Sequence, residues 1–358
     1  MNAKRVEEIA KAVLYEGYML YPYRPSSVKN RQRWNFGVVC PRTYSESQKG
    51  SDAWFMQTEC LATVGSAAEL NISVRFLHGI ERTIGKLKTP IEAWLAPDEN
   101  SQLPELSTVE TLEVGGKTLQ SWQEAIEREI VISSIHLGGT DAAPHSSTVS
   151  FPGGQEFEPF RGEDGRFVGA IIRTREPIEV EVEIAAGPAR DGLAKVSVRI
   201  LNISSFYDAD SRSRKDALMR SLLSAHTILQ IEGGEFVSQI DPPVSLKAAA
   251  SACNNIGTWP VLAGEEGQLD CMLSSPIILY DYPQIAPESP GDLFDGTEID
   301  EILALRILTL TEDEKDEMRG SDERSRQILE RTEAMPAEHF MKLHGVLRGL
   351  RPADEDKQ

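Results

Sequence analysis

Two stretches of the chain alternate strictly between apolar and polar positions: Ile178-Glu-Val-Glu-Val-Glu-Ile184 and Ala194-Lys-Val-Ser-Val-Arg-Ile200. A period of two puts one set of side chains on each side of a strand, so each stretch buries one face and wets the other. The same period, less strictly kept, runs through Trp54–Thr63, Leu70–His78, Thr108–Glu113, Ile126–Ile135 and Phe167–Arg173. GPARDG at 187–192 suits a hairpin connection between the two clearest strands, and GG (115–116), FPGG (151–154) and EDG (163–165) add turn chemistry. Strands separated by turns, with few helical patterns between them, predict a mainly β (α+β) protein with an antiparallel β-sandwich-like core.

Helical spacing is confined to a few places. Val6, Ile9, Ala10, Val13 and Leu14 predict an amphipathic helix over 3–16, with Asn2 as N-cap and Gly17 at its end. Arg212–Leu223 also reads as helix, followed by strands at Thr227–Ile231 and Phe236–Ile240 around a Gly-Gly turn. Ser245–Ala252 has room for one or two helical turns, and CNNIGTWPVLAG after it reads as an irregular loop. Near the end, Ile299, Ile302 and Leu303 form one stripe, which Leu305 and Leu308 widen. Thr311 and Glu314 have capping-box spacing, predicting a second helix to about Thr332, with a short third over 337–348 and an unstructured ADEDKQ tail. The pattern divides the chain into an N-terminal helix and basic aromatic arm (1–42), a β-rich core (43–285) and an acidic helical region (286–358).

Charge separates the two ends. The whole chain of 358 residues carries a formal charge of −19, which argues against nucleic acid and anionic membrane as partners, since both are themselves negative. Residues 1–42 nevertheless hold eight Lys/Arg against three acids, whereas 281–333 holds sixteen acids against six bases. No run approaches the ~18 apolar residues of a membrane span, and no apolar signal region opens the chain. Cys40, Cys60, Cys253 and Cys271 form no CxxC pair, so a reducing cytoplasm and mostly structural thiols are expected.

Catalytic motifs fail on inspection. GIERTIGK (79–86) has five residues between its glycines and Leu87 where a phosphate loop needs Ser or Thr. His339 and His344 are five apart and do not share a helical face, while His78, His136, His145 and His226 are isolated. No cofactor is expected.

Two stretches remain as candidates. In the basic arm, Tyr21, Tyr23 and Trp34 are interleaved with Arg24, Lys29, Arg31 and Arg33. Aromatics among cations serve as a protein-docking or anion-binding loop, or as Arg stems packed on rings for structure alone. The second candidate is the Pro-rich acidic bend carrying Asp281, Glu288, Asp292 and Asp295. It is not an EF-hand, because Gly291, Leu293 and Ile302 stand where oxygen ligands belong. Its carboxylates can cap and solvate, pair with a basic surface such as the arm, or converge with the Cys253–Trp259 loop on a metal or catalytic site.

EGYMLYPYRPSSVKNRQRWNFG (16–37), SSPIILYDYPQIAPESPGDLFDGTEIDEILALRILTLT (274–311) and GTWPVL (257–262) resemble a bacterial protein family encoded near nickel–iron hydrogenase gene clusters. The resemblance implies an accessory or assembly role around a metalloenzyme and carries over no catalytic residue. The expected function is therefore a non-enzymatic accessory protein that binds another protein, the alternative being a metal-handling protein or enzyme at the acidic bend.

Overall fold

The computed structural model describes residues 2–15, 36–94, 104–137, 144–187, 192–284, 307–320 and 323–334. Its organising element is one strand, β1 (Phe55–Ile91), of 37 residues. The strands after it are β2 (Leu106–Val109), β3 (Thr111–Val114), β4 (Lys117–Gln120), β5 (Trp122–His136), β6 (His145–Phe151), β7 (Gly154–Arg161) and β8 (Phe167–Arg175). Then come β9 (Ile178–Ala186), β10 (Leu193–Asn202), β11 (Leu222–Phe236), β12 (Trp259–Leu262) and β13 (Cys271–Ser275). The helices are α1 (Asn2–Leu14), α2 (Arg42–Ser47), α3 (Arg214–Leu218), α4 (Lys247–Ser251), α5 (Glu312–Gly320) and α6 (Glu323–Glu333). The protein is thus mainly β, with an N-terminal helix and a C-terminal helical region.

β1 is long enough to serve different partners in succession. One of its edges pairs antiparallel with β10 from Phe55 to Thr63, then with β5 from Glu69 to Arg82, then with β2 from Ile84 to Leu87. The other edge pairs with β11 from Ala62 to His78 and with β8 from Glu81 to Ile91. Sheet order runs β12-β13-β11-β1-β10-β9-β6, with β7 joined through β8.

The core lies between two parts of this sheet. Met56, Cys60, Leu70, Ile72, Val74 and Phe76 of β1 point into it, facing Ile178, Val180, Val182 and Ile184 of β9 and Val196, Val198 and Ile200 of β10. Phe76 meets Phe151 of β6 edge to face at 5.4 Å, closing the core from opposite sides. Burying each such side chain contributes on the order of 1.5–3 kcal/mol. The predicted alternation of β9 and β10 holds: Glu179, Glu181 and Glu183 are left on the outer side. On the outer face of β11 and β13, Val6, Ile9, Ala10 and Val13 of α1 pack against Ile228, Cys271 and Leu273. Beside them, Met318, Ile328 and Leu329 of α5 and α6 pack against Leu77, Trp122 and Leu223.

Several sequence expectations change. Trp54–Thr63 and Leu70–His78 are one strand, not two, and the GIERTIGK stretch continues it. The join is a register shift between Val64 and Glu69, where Gly65 lies against Gly233 of β11. A Cβ on Gly65 would sit 3.1 Å from the Gly233 carbonyl oxygen, a contact tight enough that the neighbouring backbone would have to give way. The expected helix over Arg212–Leu223 shrinks to α3, capped by Ser213 and Asp216, because the chain already enters β11 at Leu222. β11 then runs straight through Gly233-Gly234 instead of turning there. Trp259–Leu262, expected in a loop, is edge strand β12, held by β13. The segment expected at Thr108–Glu113 is split between β2 and β3. The Thr311–Glu314 capping box is present, with reciprocal bonds of 2.9 and 3.3 Å, but two helices follow it where one was expected. The short helix expected at 337–348, the ADEDKQ tail and most of the Ile299–Leu308 stripe lie outside the described residues.

Candidate functional site

The predicted docking residues Tyr21, Tyr23, Arg24, Lys29, Arg31, Arg33 and Trp34 all lie outside the described residues. The chain on either side of them meets at one point of β11. Ser224 donates its hydroxyl to the carbonyl of Val13 at 3.1 Å, and the next residue, Ala225, donates its N–H to the carbonyl of Gly37 at 2.9 Å. What reads in the sequence as an N-terminal arm is therefore a segment tethered at both feet. The clamp is a β-bulge: Arg75 pairs with His226 and Leu77 with Leu223, leaving one extra residue on β11. Ser224 takes φ +52°, unusual for a residue other than glycine, and is buried. His226 braces the bulge by donating from Nδ1 to the Ser224 carbonyl at 3.1 Å.

The return foot has a second anchor. Fully buried Asn202 donates from Nδ2 to the carbonyls of Val39 and Arg220, each at 2.8 Å, and accepts from the N–H of Ser204 at 3.0 Å. Asn202→Ala should cost about 3 kcal/mol, roughly one for each lost bond. Urea unfolding would read this as a lower midpoint at unchanged slope.

Close to the departing foot lies a cleft of about 1790 Å³, lined by Lys11 and Tyr15 of the α1 end, the β3–β4 hairpin, β5, β8 and the α5–α6 pair. Its base is an ion-paired lattice. Glu124 is 3.5 Å from Arg82 and 2.8 Å from Arg173, which also reaches Glu158 at 2.7 Å. Buried Arg82 further donates to the carbonyl of Gly320 at 3.2 Å, supplying a cation at the C-terminus of α5, where the helix dipole favours one. Glu333 of α6 pairs with Lys315 and Arg319 of α5. Cations and carboxylates therefore stand side by side around the cleft. No group of three or more metal-ligating side chains occurs among the described residues.

Glu288, Asp292 and Asp295 of the acidic bend lie outside the described residues, and Asp281 has a structural task. Its Oδ1 accepts from the N–H of Leu262 at 2.8 Å and its Oδ2 from the hydroxyl of Ser238 at 2.5 Å, stapling edge strand β12 to the end of β11. The Cys253 loop is committed as well. Glu59 accepts from the N–H of Asn254 at 2.7 Å, Asn255 Oδ1 accepts from the N–H of Glu59 at 2.8 Å, and Gln57 pairs with Ile256. Burial, reinforced by Glu59, raises the Cys253 thiol above its ordinary value. Burial likewise pushes Cys40 up to about 11 and Cys271 to about 12, and raises Cys60 further. All four thiols are free, and burial favours their protonated form at neutral pH.

The fold and these sites together define a mainly antiparallel β protein with a helical outer layer and a mixed-charge cleft. Compared with models of known protein families and with curated proteins, the chain matches none.

Proposed function

We propose that this protein is a non-enzymatic accessory protein that captures another protein through its basic aromatic segment, with the mixed-charge cleft as the adjoining part of the contact surface. The observation that carries this reading is the clamp on β11. A segment fixed at both feet on adjacent residues of the core loses less conformational freedom on binding than a free arm would, so more of its contact energy appears as affinity. Its aromatic and arginine content is that of protein interfaces. The structural duties of Asp281 and Cys253 count against the alternative site at the acidic bend. The family resemblance makes hydrogenase subunits and their maturation factors the first partners to test.

The test is affinity purification of the tagged protein from its native host, in wild-type form and as Arg31→Glu/Arg33→Glu. Specific recovery of one partner by the wild type, reduced at least about tenfold by the charge reversal at unchanged thermal stability, is the expected result; tenfold corresponds to about 1.4 kcal/mol. Equal recovery by both forms would remove the segment from the interface. Stoichiometric metal in a sample that recovers no partner would instead favour the metal-handling alternative.

A further inference from the structure

A second site is written in the strand register, away from the tethered segment. Paired residues share a face of the sheet, so Phe76, His78, Ile80 and Arg82 of β1 lie on the same side as Arg128, Ile126 and Glu124 of β5. Arg82 pairs with Arg173 of β8, which brings Arg173 and Arg175 to that side, together with Glu156 and Glu158 of β7. This is the face that forms the apolar core further back along β1. Here it continues as four arginines and three glutamates. Glu124 serves Arg82 and Arg173, Glu158 serves Arg173, and Glu156 serves Arg175 at 2.6 Å. The guanidinium left over is Arg128.

Arg128 makes no ion pair or hydrogen bond among the described residues. It lies over the ring of Phe151 with 5.3 Å to the centroid, and its Nε is buried without a partner, as is the Nε of Arg175. Burial, and then the charge of Arg175, push the Arg128 guanidinium below its ordinary value. Between the two arginines sits His78, fully buried, its Nε2 donating to the Glu176 carbonyl at 2.8 Å and its Nδ1 unpartnered. The neighbouring Glu176 carboxylate is taken by Arg220 at 2.7 Å. Two buried N–H groups that face no acceptor are costly, and the local excess is one positive charge.

We propose that Arg128 and Arg175 form a binding site for the carboxylate group of a ligand, which completes the lattice that the protein's own glutamates leave one short. A guanidinium is a planar fork of N–H donors that matches a planar, forked acceptor, and a carboxylate has that shape. A single negative charge matches the single excess positive charge, whereas phosphate would bring nearly two. The carboxylate can belong to a small organic acid or to an acidic side chain of a peptide.

The experiment is an NMR titration of full-length protein labelled with 15N-arginine, following the side-chain Nε–H signals of Arg128 and Arg175. The probes are acetate, a glutamate-rich peptide and inorganic phosphate, at constant ionic strength. A saturable shift of both signals by acetate supports a small-acid site, and one by the peptide alone supports an acidic side chain. Arg128→Gln should weaken either by at least about tenfold, while Arg166→Gln, at an exposed pair with Asp164, should leave it unchanged. Arg128→Lys keeps the charge but loses the fork, and should recover only part of the affinity. Absence of any saturable shift, or phosphate binding more tightly than both carboxylates, would overturn the proposal.

Discussion

Lowering the pH from 7 to 4 is expected to remove roughly 6 kcal/mol of folding stability through two histidines alone, on the order of 3 kcal/mol for each ring. His78 and His226 are both fully buried, and burial lowers each from 6.5 to about 4. At His78 the charges of Arg128 and Arg175 act in the same direction, at His226 that of Arg75, and a backbone carbonyl partly opposes the shift in each case. Because the folded values lie below the unfolded one, the unfolded chain binds more protons between pH 6.5 and 4. Stability is therefore complete above about 6.5, falls with decreasing pH, and stops falling from this cause below about 4. The slope through the window should approach ~2.7 kcal/mol per pH unit, from two protons at ~1.36 each. Urea midpoints at pH 7, 5.5 and 4 measure it. Replacing either histidine by glutamine should halve the slope, and an unchanged slope in both variants would show that other groups carry the acid sensitivity. A loss of this size approaches the whole stability of an ordinary domain. The Asp216 carboxyl, held low by its bond with Ser213, titrates below this window and adds its own loss in stronger acid.

Phe76→Ala should lower stability by about 3–5 kcal/mol. The ring is fully buried at the centre of β1 and meets Phe151 edge to face, so truncation opens a cavity where three strands converge. Phe151 also carries Arg128, and its displacement should loosen that guanidinium. Two readouts therefore follow: a lower unfolding midpoint, and a shifted, sharpened Arg128 Nε–H signal. Phe76→Leu keeps much of the volume and should cost less than half as much. A fall in stability without any change at Arg128 would show that the ring stack does not support the arginine.

The strands with one wet face were legible in the sequence because their alternation survives: Glu179, Glu181 and Glu183 project outward while Ile178, Val180, Val182 and Ile184 project inward. β11 was legible from Thr227 to Ile231 but not at its start, because residues 222–229 are buried on both faces, between the sandwich core and the helices. Burial on both sides erases the period of two, and Leu222 and Leu223 were read together with the helical residues before them. Strand β6, His145–Phe151, failed for the opposite reason, since its serines and threonine leave few apolar positions to count. The basic aromatic segment was recognisable from composition, yet the bulge that holds the chain on either side of it depends on how β11 registers against β1. Arg173 and Arg175 already showed a spacing of two, but the unpaired state of Arg128 emerges only when three glutamates from β5 and β7 are matched against four arginines.

By itself the sequence determined the class: antiparallel strands with a buried and a wet face, an amphipathic first helix, a capped helical end, and opposite charge at the two ends. These follow from local periodicity and from the chemistry of neighbours in the chain. Tertiary structure alone decided that β1 is one strand serving five others, that Ser224 and Ala225 hold the chain on both sides of the basic segment, that Asp281 is a staple, and that Arg128 is left without an ion pair among the described residues. Each of these depends on which residues meet across strands, and pairing register between distant segments leaves no mark in local periodicity.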